Sequence, residues 1–248
     1  MAALIALLQT RALAKTFGGV EAVRSADFRV ERGEIRALIG PNGAGKTTLV
    51  SMICGRIVPT SGRILFKGRD ITRTQAFHRA AFGIVYTFQI SSVFRNLTVH
   101  ENVAIAVQRR VMRRAWDRIA LDQQALASEV QHALAQTGLA GLGGRLAGSL
   151  PHGHQKLLEV SMALALQPEL LILDEPTQGL TREEIAAFSR FMRAIAEGTT
   201  ILLIEHDMQV VLDLSRRITV MDQGRIIAEG TPAEIEANRE VQRVYLGP

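Results

Sequence analysis

An α/β fold with a mostly parallel sheet, buried on both faces, is predicted from three features of this chain. Short, wholly apolar runs at residues 35–39, 170–173 and 200–204 stand between stretches of helical period. Strands covered on both faces read as such runs, whereas half-exposed strands alternate. A mostly helical stretch, residues 96–165, interrupts the alternation, and short strand patterns fill the first part of the chain.

Taken in order, residues 7–11 and 26–30 carry strand patterning, and Arg32-Gly33 marks a turn before the strand at 35–39. A helix is expected over 47–54. The strand at 63–66 is introduced by Pro59 and Gly62 and closed by Lys67-Gly68. Residues 75–82 look helical, after which Gly83 leads into an extended 84–88 ending at Gln89. Thr98 and Glu101 have the spacing of a capping box before Val103, Ile105 and Val107. Leu121, Leu126, Val130 and Leu134 form a second amphipathic helix, closed near Thr137-Gly138. A glycine-rich link, 138–148, precedes a helix at 154–166. Helices at 182–196 and 208–214 follow, then strands at 218–221 and 225–228 turning at Asp222-Gln223-Gly224, and Pro232 opens a terminal helix.

The chain has 248 residues, 47% of them apolar, enough for one substantial core. Its net charge of +5 suits an anionic neighbour without choosing among nucleotide, membrane surface and nucleic acid. Aromatics make up only 5% and do not interleave with the basic residues, which argues against a nucleic-acid partner. The single Cys54 excludes an intrachain disulfide, fits a reducing cytosol, and falls on the apolar side of its helix. The opening apolar run, residues 2–8, is too short to span a bilayer and lacks the basic region of a secretory signal. No later segment offers the roughly 18 apolar residues a membrane helix needs. The chain is therefore expected to touch a membrane without crossing it.

Between the strand at 35–39 and the helix at 47–54 lie Gly40, Pro41, Asn42, Gly43, Ala44, Gly45, Lys46, Thr47 and Thr48. This is the complete G-x-x-x-x-G-K-[ST] spacing of a P-loop in its strand–loop–helix setting. Glycines at 43 and 45 let backbone N–H groups turn inward around a phosphate chain, and the helix start adds its dipole. Lys46 reaches the β- and γ-phosphates, and the Thr47 hydroxyl is placed to hold Mg²⁺. A second element, the apolar strand ending in Asp174 and Glu175, delivers two carboxylates to the end of a parallel sheet where ligands bind. Asp174 suits a hydrated Mg²⁺, and Glu175 suits polarising the attacking water. The expected architecture is a P-loop NTPase core with a mostly parallel sheet, an N-terminal antiparallel β subdomain, and a helical subdomain inserted after Gln89, about 90–166. All of it is expected to form one nucleotide-binding domain over 1–248.

Together these elements resemble the ATP-binding-cassette ATPases over nearly the whole chain. The resemblance implies ATP and Mg²⁺ as ligands. It implies that Phe17 stacks on adenine, that Gln89 links Mg²⁺ and attacking water to the helical subdomain, and that His206 contacts the γ-phosphate. The family signature L-S-G-G-Q corresponds to Leu150, Pro151, His152, Gly153 and His154, where only Leu150 and Gly153 agree in register. Backbone N–H groups at this helix start still suit an anion, so the segment is expected to close on ATP in trans, either with weaker contacts or with His152 or His154 replacing the serine contact. At Thr181, where the family usually has Asp, the spacing to Glu184 instead makes a capping box. Because the signature of one subunit covers the P-loop of the other, the resemblance implies a homo- or heterodimer with a second ATPase subunit.

A finer resemblance, to the ATPase subunits of bacterial branched-chain amino acid uptake systems, rests on four groups of residues. These are Thr87-Phe88-Gln89, the run 94–103, Leu150 to Gly153 with Leu157-Leu158-Glu159, and Glu205 to Met208; the closing Val244-Tyr245-Leu246-Gly247 agrees. It implies two membrane permease subunits, an extracytoplasmic binding protein acting indirectly, and a peripheral position on the cytoplasmic face of the inner membrane. An exporter ATPase of the lipopolysaccharide type and a soluble cassette protein are the alternatives. Arg109, Arg110, Arg113 and Arg114 form either a solvated helix face or a contact for anionic lipid or an acidic permease loop.

Overall fold

The computed structural model describes residues 6–87, 93–111 and 123–246. Two sheets and a helical subdomain make up the fold. The central sheet contains β4 (Ile35–Ile39), β7 (Ile84–Thr87), β8 (Leu170–Asp174), β9 (Thr200–Ile204), β10 (Arg217–Asp222) and β11 (Arg225–Gly230). Their order is β11-β10-β4-β9-β8-β7, parallel throughout except for the β10–β11 hairpin. β4, β8 and β9 are buried at every position, as continuous apolar runs require.

The second sheet is antiparallel and N-terminal: β1 (Leu8–Phe17), β2 (Val20–Ala26), β3 (Arg29–Val30), β5 (Ser61–Phe66) and β6 (Arg69–Asp70). It packs on one face of the central sheet, with α1 (Lys46–Ile53) between them, through Leu8, Leu13, Phe28, Leu49, Met52, Ile53, Ile172 and Leu202. The other face is covered by α5 (His152–Ala165), α6 (Arg182–Ala196) and α7 (Met208–Leu214). α2 (Ala76–Ala81) precedes β7; α3 (Val99–Val111), α4 (Gln123–Gln136) and α5 build the helical subdomain on Val99, Val103, Val130, Leu134 and Leu158.

Sequence and structure differ where the strands are irregular. β1 runs on to Phe17 rather than ending at Arg11, because a left-handed Ala12 (φ 43°) and register shifts against both neighbours break its alternation. The strand expected at 26–30 is two strands. Ser25 turns left-handed (φ 51°), and the Asp27 carboxylate leaves the ladder to accept the Ala12 N–H at 2.8 Å. α5 begins at His152 instead of His154, with Pro151 at its N-cap. Beyond α8 (Pro232–Glu236), α9 (Arg239–Leu246) was not anticipated; the Asn238 side chain caps it by accepting from the N–H groups of Glu240 (2.9 Å) and Val241 (3.2 Å). Both capping boxes are present. Thr98 and Glu101 exchange hydrogen bonds at α3, and Thr181 and Glu184 do so at α6.

Candidate active site

The P-loop leaves β4 and enters α1 with Gly45 at the N-cap, in a left-handed conformation that offers no side-chain cap. No acidic residue occupies the first turn of α1, so its N–H groups and positive dipole end are uncompensated by the protein. At Gly43 (φ 82°) a Cβ would meet nothing within 4 Å, which leaves open space above the loop's inward-turned backbone. The loop is braced from behind: the Gly224 N–H donates to Ala44 O at 3.0 Å, and the Arg24 N–H donates to Gly224 O at 2.7 Å. Thus the turn between β10 and β11, together with β2, fixes the loop.

Lys46 folds back on its own loop, donating through Nζ to Gly40 O at 2.6 Å and Pro41 O at 3.0 Å. Burial lowers its pKa, while the negative charges of Glu175 and Asp174 oppose that shift. The ammonium therefore faces both carboxylates. Asp174, 6% exposed at the end of β8, accepts a 2.6 Å hydrogen bond from the Tyr86 hydroxyl. Burial raises its pKa; the Tyr86 bond and Lys46 work in the other direction.

Glu175 is left-handed (φ 48°), rare for a residue of its size. In a regular strand, adjacent side chains point to opposite faces; the turn at Glu175 breaks that rule, so both carboxylates are presented at the sheet's C-terminal end. Its N–H donates to Ile204 O at 2.8 Å, locking it to the end of β9. There His206 follows, with its ring 60% exposed and Nδ1 3.7 Å from Glu175 Oε1. The buried Glu205 carboxylate accepts from the Thr177 N–H (3.0 Å) and hydroxyl (2.5 Å), and from the His206 N–H (3.1 Å). It ties the two loops that carry Glu175 and His206.

Lys46, Asp174, Glu175 and His206 are thus gathered at the C-terminal edge of the parallel strands. Phe17, 46% exposed, ends β1 under the Lys15 ammonium (4.9 Å to the ring centroid) and pairs with Val20; further along β2, the Ala22 carbonyl abuts Gly45. Gln89 lies outside the described residues. The signature residues stand apart, at the entry to α5 in the helical subdomain. Leu150 is buried and its carbonyl accepts from Gln155 Nε2 at 2.9 Å. Pro151 and His152 are exposed, with His152 Nε2 3.3 Å from Gln178 O, and His154 is half-buried. Gly153 is buried against Glu184, whose Oε1 an added Cβ would meet at 2.3 Å. Of the arginine cluster, Arg109 stacks on Phe77 (4.2 Å) and Arg110 pairs with Glu129 (2.7 Å), so two of its members are engaged within the chain. Arg113 and Arg114 lie outside the described residues.

Sequence reasoning missed Tyr86 and Glu205. Tyr86 belongs to β7, whose neighbour across the ladder is Ile172 rather than Asp174, so no spacing along the chain links the pair. Glu205, between an apolar strand and His206, was legible as a carboxylate in a strand end that the core would bury only if partnered.

A divalent cation fits this donor set on one condition. Among the described residues no group of three or more His, Cys, Asp or Glu side chains could hold a metal by itself. Mg²⁺ keeps several waters and takes phosphate oxygens, so two protein oxygens, for which the Thr47 hydroxyl and the Asp174 carboxylate are the candidates, would be enough with a nucleotide bound.

This site and topology define a P-loop nucleotide-binding protein with an inserted helical subdomain. Residues 23–178 match the family model for the ABC transporter, and residues 225–247 match one for the branched-chain amino acid ATP-binding cassette transporter. The chain is 38% identical, over 97% of its length and 98% of the relative, to the high-affinity branched-chain amino acid transport ATP-binding protein LivG of Salmonella typhimurium. It is 34% identical to BraF of Pseudomonas aeruginosa, with the same coverage of both chains. A nucleotide-free ATP-binding cassette from an ABC transporter superposes with a TM-score of 0.87 at 28% identity, covering 98% of this chain and 100% of the other. The chain belongs to the ABC transporter family, as one of its ATP-binding, ATP-hydrolysing cassettes.

Proposed function

We propose that this chain is one of two cassettes that close on ATP to drive import of branched-chain or related hydrophobic amino acids. The convergence of Lys46, Asp174, Glu175 and His206 beside an uncapped helix start carries the reading of the site. The match of residues 225–247, with full-length similarity to LivG and BraF, supports the cargo class.

Gly40, Pro41, Asn42, Gly43, Ala44, Gly45, Thr47 and Thr48 wrap the phosphates with backbone and hydroxyl donors, and Lys46 turns from the loop carbonyls to the β- and γ-oxygens. Thr47 and Asp174, with Gln89, would hold Mg²⁺, and the ion would supply charge neutralisation at the phosphates. Glu175 accepts a hydrogen bond from the attacking water and takes up its proton as the water oxygen bonds to the γ-phosphorus, while the bond from that phosphorus to the β-phosphate oxygen breaks and its electron pair leaves with ADP. His206 donates to the γ-phosphate and, beside Glu175, holds that carboxylate toward the water. Phe17 stacks on the adenine. Leu150 to His154 of the second subunit complete the cover over the γ-phosphate with helix-start N–H groups.

Closure and release of the pair move two permease subunits, served by an extracytoplasmic binding protein, from the cytoplasmic face of the membrane. No helix among the described residues is long and apolar enough to cross a membrane, consistent with a peripheral subunit. The test is the assembled transporter in proteoliposomes with the binding protein: ATP-dependent leucine uptake, lost in Glu175→Gln with ATP binding retained. Turnover that survives Glu175→Gln refutes the assignment of the site. Uptake of no hydrophobic amino acid refutes the cargo class.

A further inference from the structure

The C-terminal helix meets the nucleotide loop at one polar atom. α9 lays Val241 and Tyr245, four residues apart on one face, against a cluster containing Ala37, Ile39, Ile218 and Val220. Ile39 is the last residue of β4, so the Tyr245 ring is seated where the strand hands over to Gly40. The Tyr245 hydroxyl is buried yet makes no well-formed hydrogen bond with any described residue. Burial pushes the phenol up to about 12, opposed by the backbone of Gly40. A backbone group pulls a phenol's pKa down by donating to its oxygen, so the Gly40 group that faces the hydroxyl is its N–H.

Gly40 is closely constrained on its other sides. Its φ is +151°, an added Cβ would strike Met221 O at 2.1 Å, and its carbonyl accepts from Lys46. When Lys46 leaves that carbonyl for the phosphates, Gly40 loses one of its restraints. A buried hydroxyl without a good partner destabilises the resting fold, and phenylalanine would fill the same space without that cost. Its presence is explained if the contact tightens once the loop takes nucleotide.

We propose that Tyr245 is a positioning residue of the nucleotide loop, its hydroxyl fixing the Gly40 amide when Lys46 turns to the phosphates. The C-terminal helix is then a working part of the site. This rests on the reading that residues 40–48 bind ATP.

Tyr245→Phe deletes only the oxygen, and Tyr245→Ala also deletes the packing. In the purified full-length chain, calorimetric titration with MgATP is compared with thermal unfolding of the nucleotide-free protein. Tyr245→Phe is expected to melt at the same or a higher temperature while its Kd for MgATP rises about threefold to tenfold, as for the loss of one hydrogen bond. Tyr245→Ala should lower the melting temperature as well. Unchanged MgATP affinity in Tyr245→Phe overturns the proposal, and so does an affinity loss accompanied by a lower melting temperature, which marks a structural role. Lys46→Ala separates the two levels. If it leaves affinity intact, the P-loop reading fails and this proposal with it; if it abolishes binding while Tyr245→Phe matches wild type, only the role of Tyr245 fails.

Discussion

The Tyr86 hydroxyl donates to Asp174 Oδ2 at 2.6 Å, so the edge strand β7 supplies the hydrogen bond that steadies a buried carboxylate at the end of β8. The carboxyl's pKa is nevertheless raised, because burial outweighs what Tyr86 and Lys46 return. An acid with a raised folded-state pKa binds its proton more tightly in the fold than in the unfolded chain. The associated stability is present at acid pH and is lost as pH rises through the folded value. Ionised Asp174 is therefore a cost to the nucleotide-free protein at neutral pH. Asp174→Asn should raise the melting temperature at pH 7.5, with little change near pH 4, while abolishing Mg²⁺-dependent ATP turnover. Differential scanning calorimetry at the two pH values, beside an ATPase assay, tests both halves.

Removing the donor has the opposite sign. Tyr86→Phe leaves the Asp174 carboxylate in a buried site without its hydroxyl partner, so its pKa moves further up. The acid limb of the pH–rate profile should shift to higher pH. Stability at neutral pH should fall by about 1.5–3 kcal/mol, the usual worth of a hydrogen bond to a charged group. In an Asp174→Asn background the same substitution should cost much less, because no charge is left to stabilise. A double-mutant cycle read by chemical denaturation measures that difference.

What the sequence reveals and what it conceals divides along a physical line. β4, β9, α6 and α7 fall at their expected bounds because each carries a local signal: an unbroken apolar run, or the cap residues Thr181 and Asp207. The P-loop and the pair Asp174–Glu175 were legible for the same reason, being contiguous. β1 and β2 were blurred by left-handed Ala12 and Ser25, which destroy period-two alternation. Tyr86, Glu205 and Tyr245 were missed because groups they meet lie far along the chain, 88 residues away for Tyr86 and 28 for the Thr177 that Glu205 holds. Such pairings are fixed by sheet order, which no local pattern encodes.

Arg79 is another concealed residue. It is 1% exposed, and its guanidinium donates to Met52 O and Ile53 O (both 2.7 Å), Thr74 O (2.8 Å) and Thr72 O (3.0 Å). These carbonyls include the last turn of α1, so a buried cation answers the negative end of the P-loop helix dipole. Burial lowers the pKa of the guanidinium, and the charges of Cys54 and Asp70 only partly oppose that shift. Arg79→Met should destabilise the fold by about 3 kcal/mol or more in urea unfolding, since it orphans several carbonyls at once. Arg79→Lys should recover only part of it, because a point-like ammonium cannot span four acceptors.

Gly153 ties the signature segment to the first turn of α6. An added Cβ there would lie 2.3 Å from Glu184 Oε1 and 2.7 Å from Cδ, yet the same carboxylate closes the capping box on the Thr181 N–H through Oε2 at 2.8 Å. Gly153→Ala must therefore displace Glu184 and open the α6 cap, a loss of about 0.5–2 kcal/mol. Glu184→Ala alone should cost a similar amount. The two should not add: once Glu184 is cut back, the methyl at position 153 has room, so the double variant should be no less stable than Glu184→Ala. Thermal unfolding of the four proteins reads this coupling in the isolated chain, where contacts in trans play no part. ATP turnover of the same four in the assembled transporter then reports whether Gly153 also acts on nucleotide. A loss in Gly153→Ala that persists in the double variant assigns it that second role, and full recovery confines it to the cap.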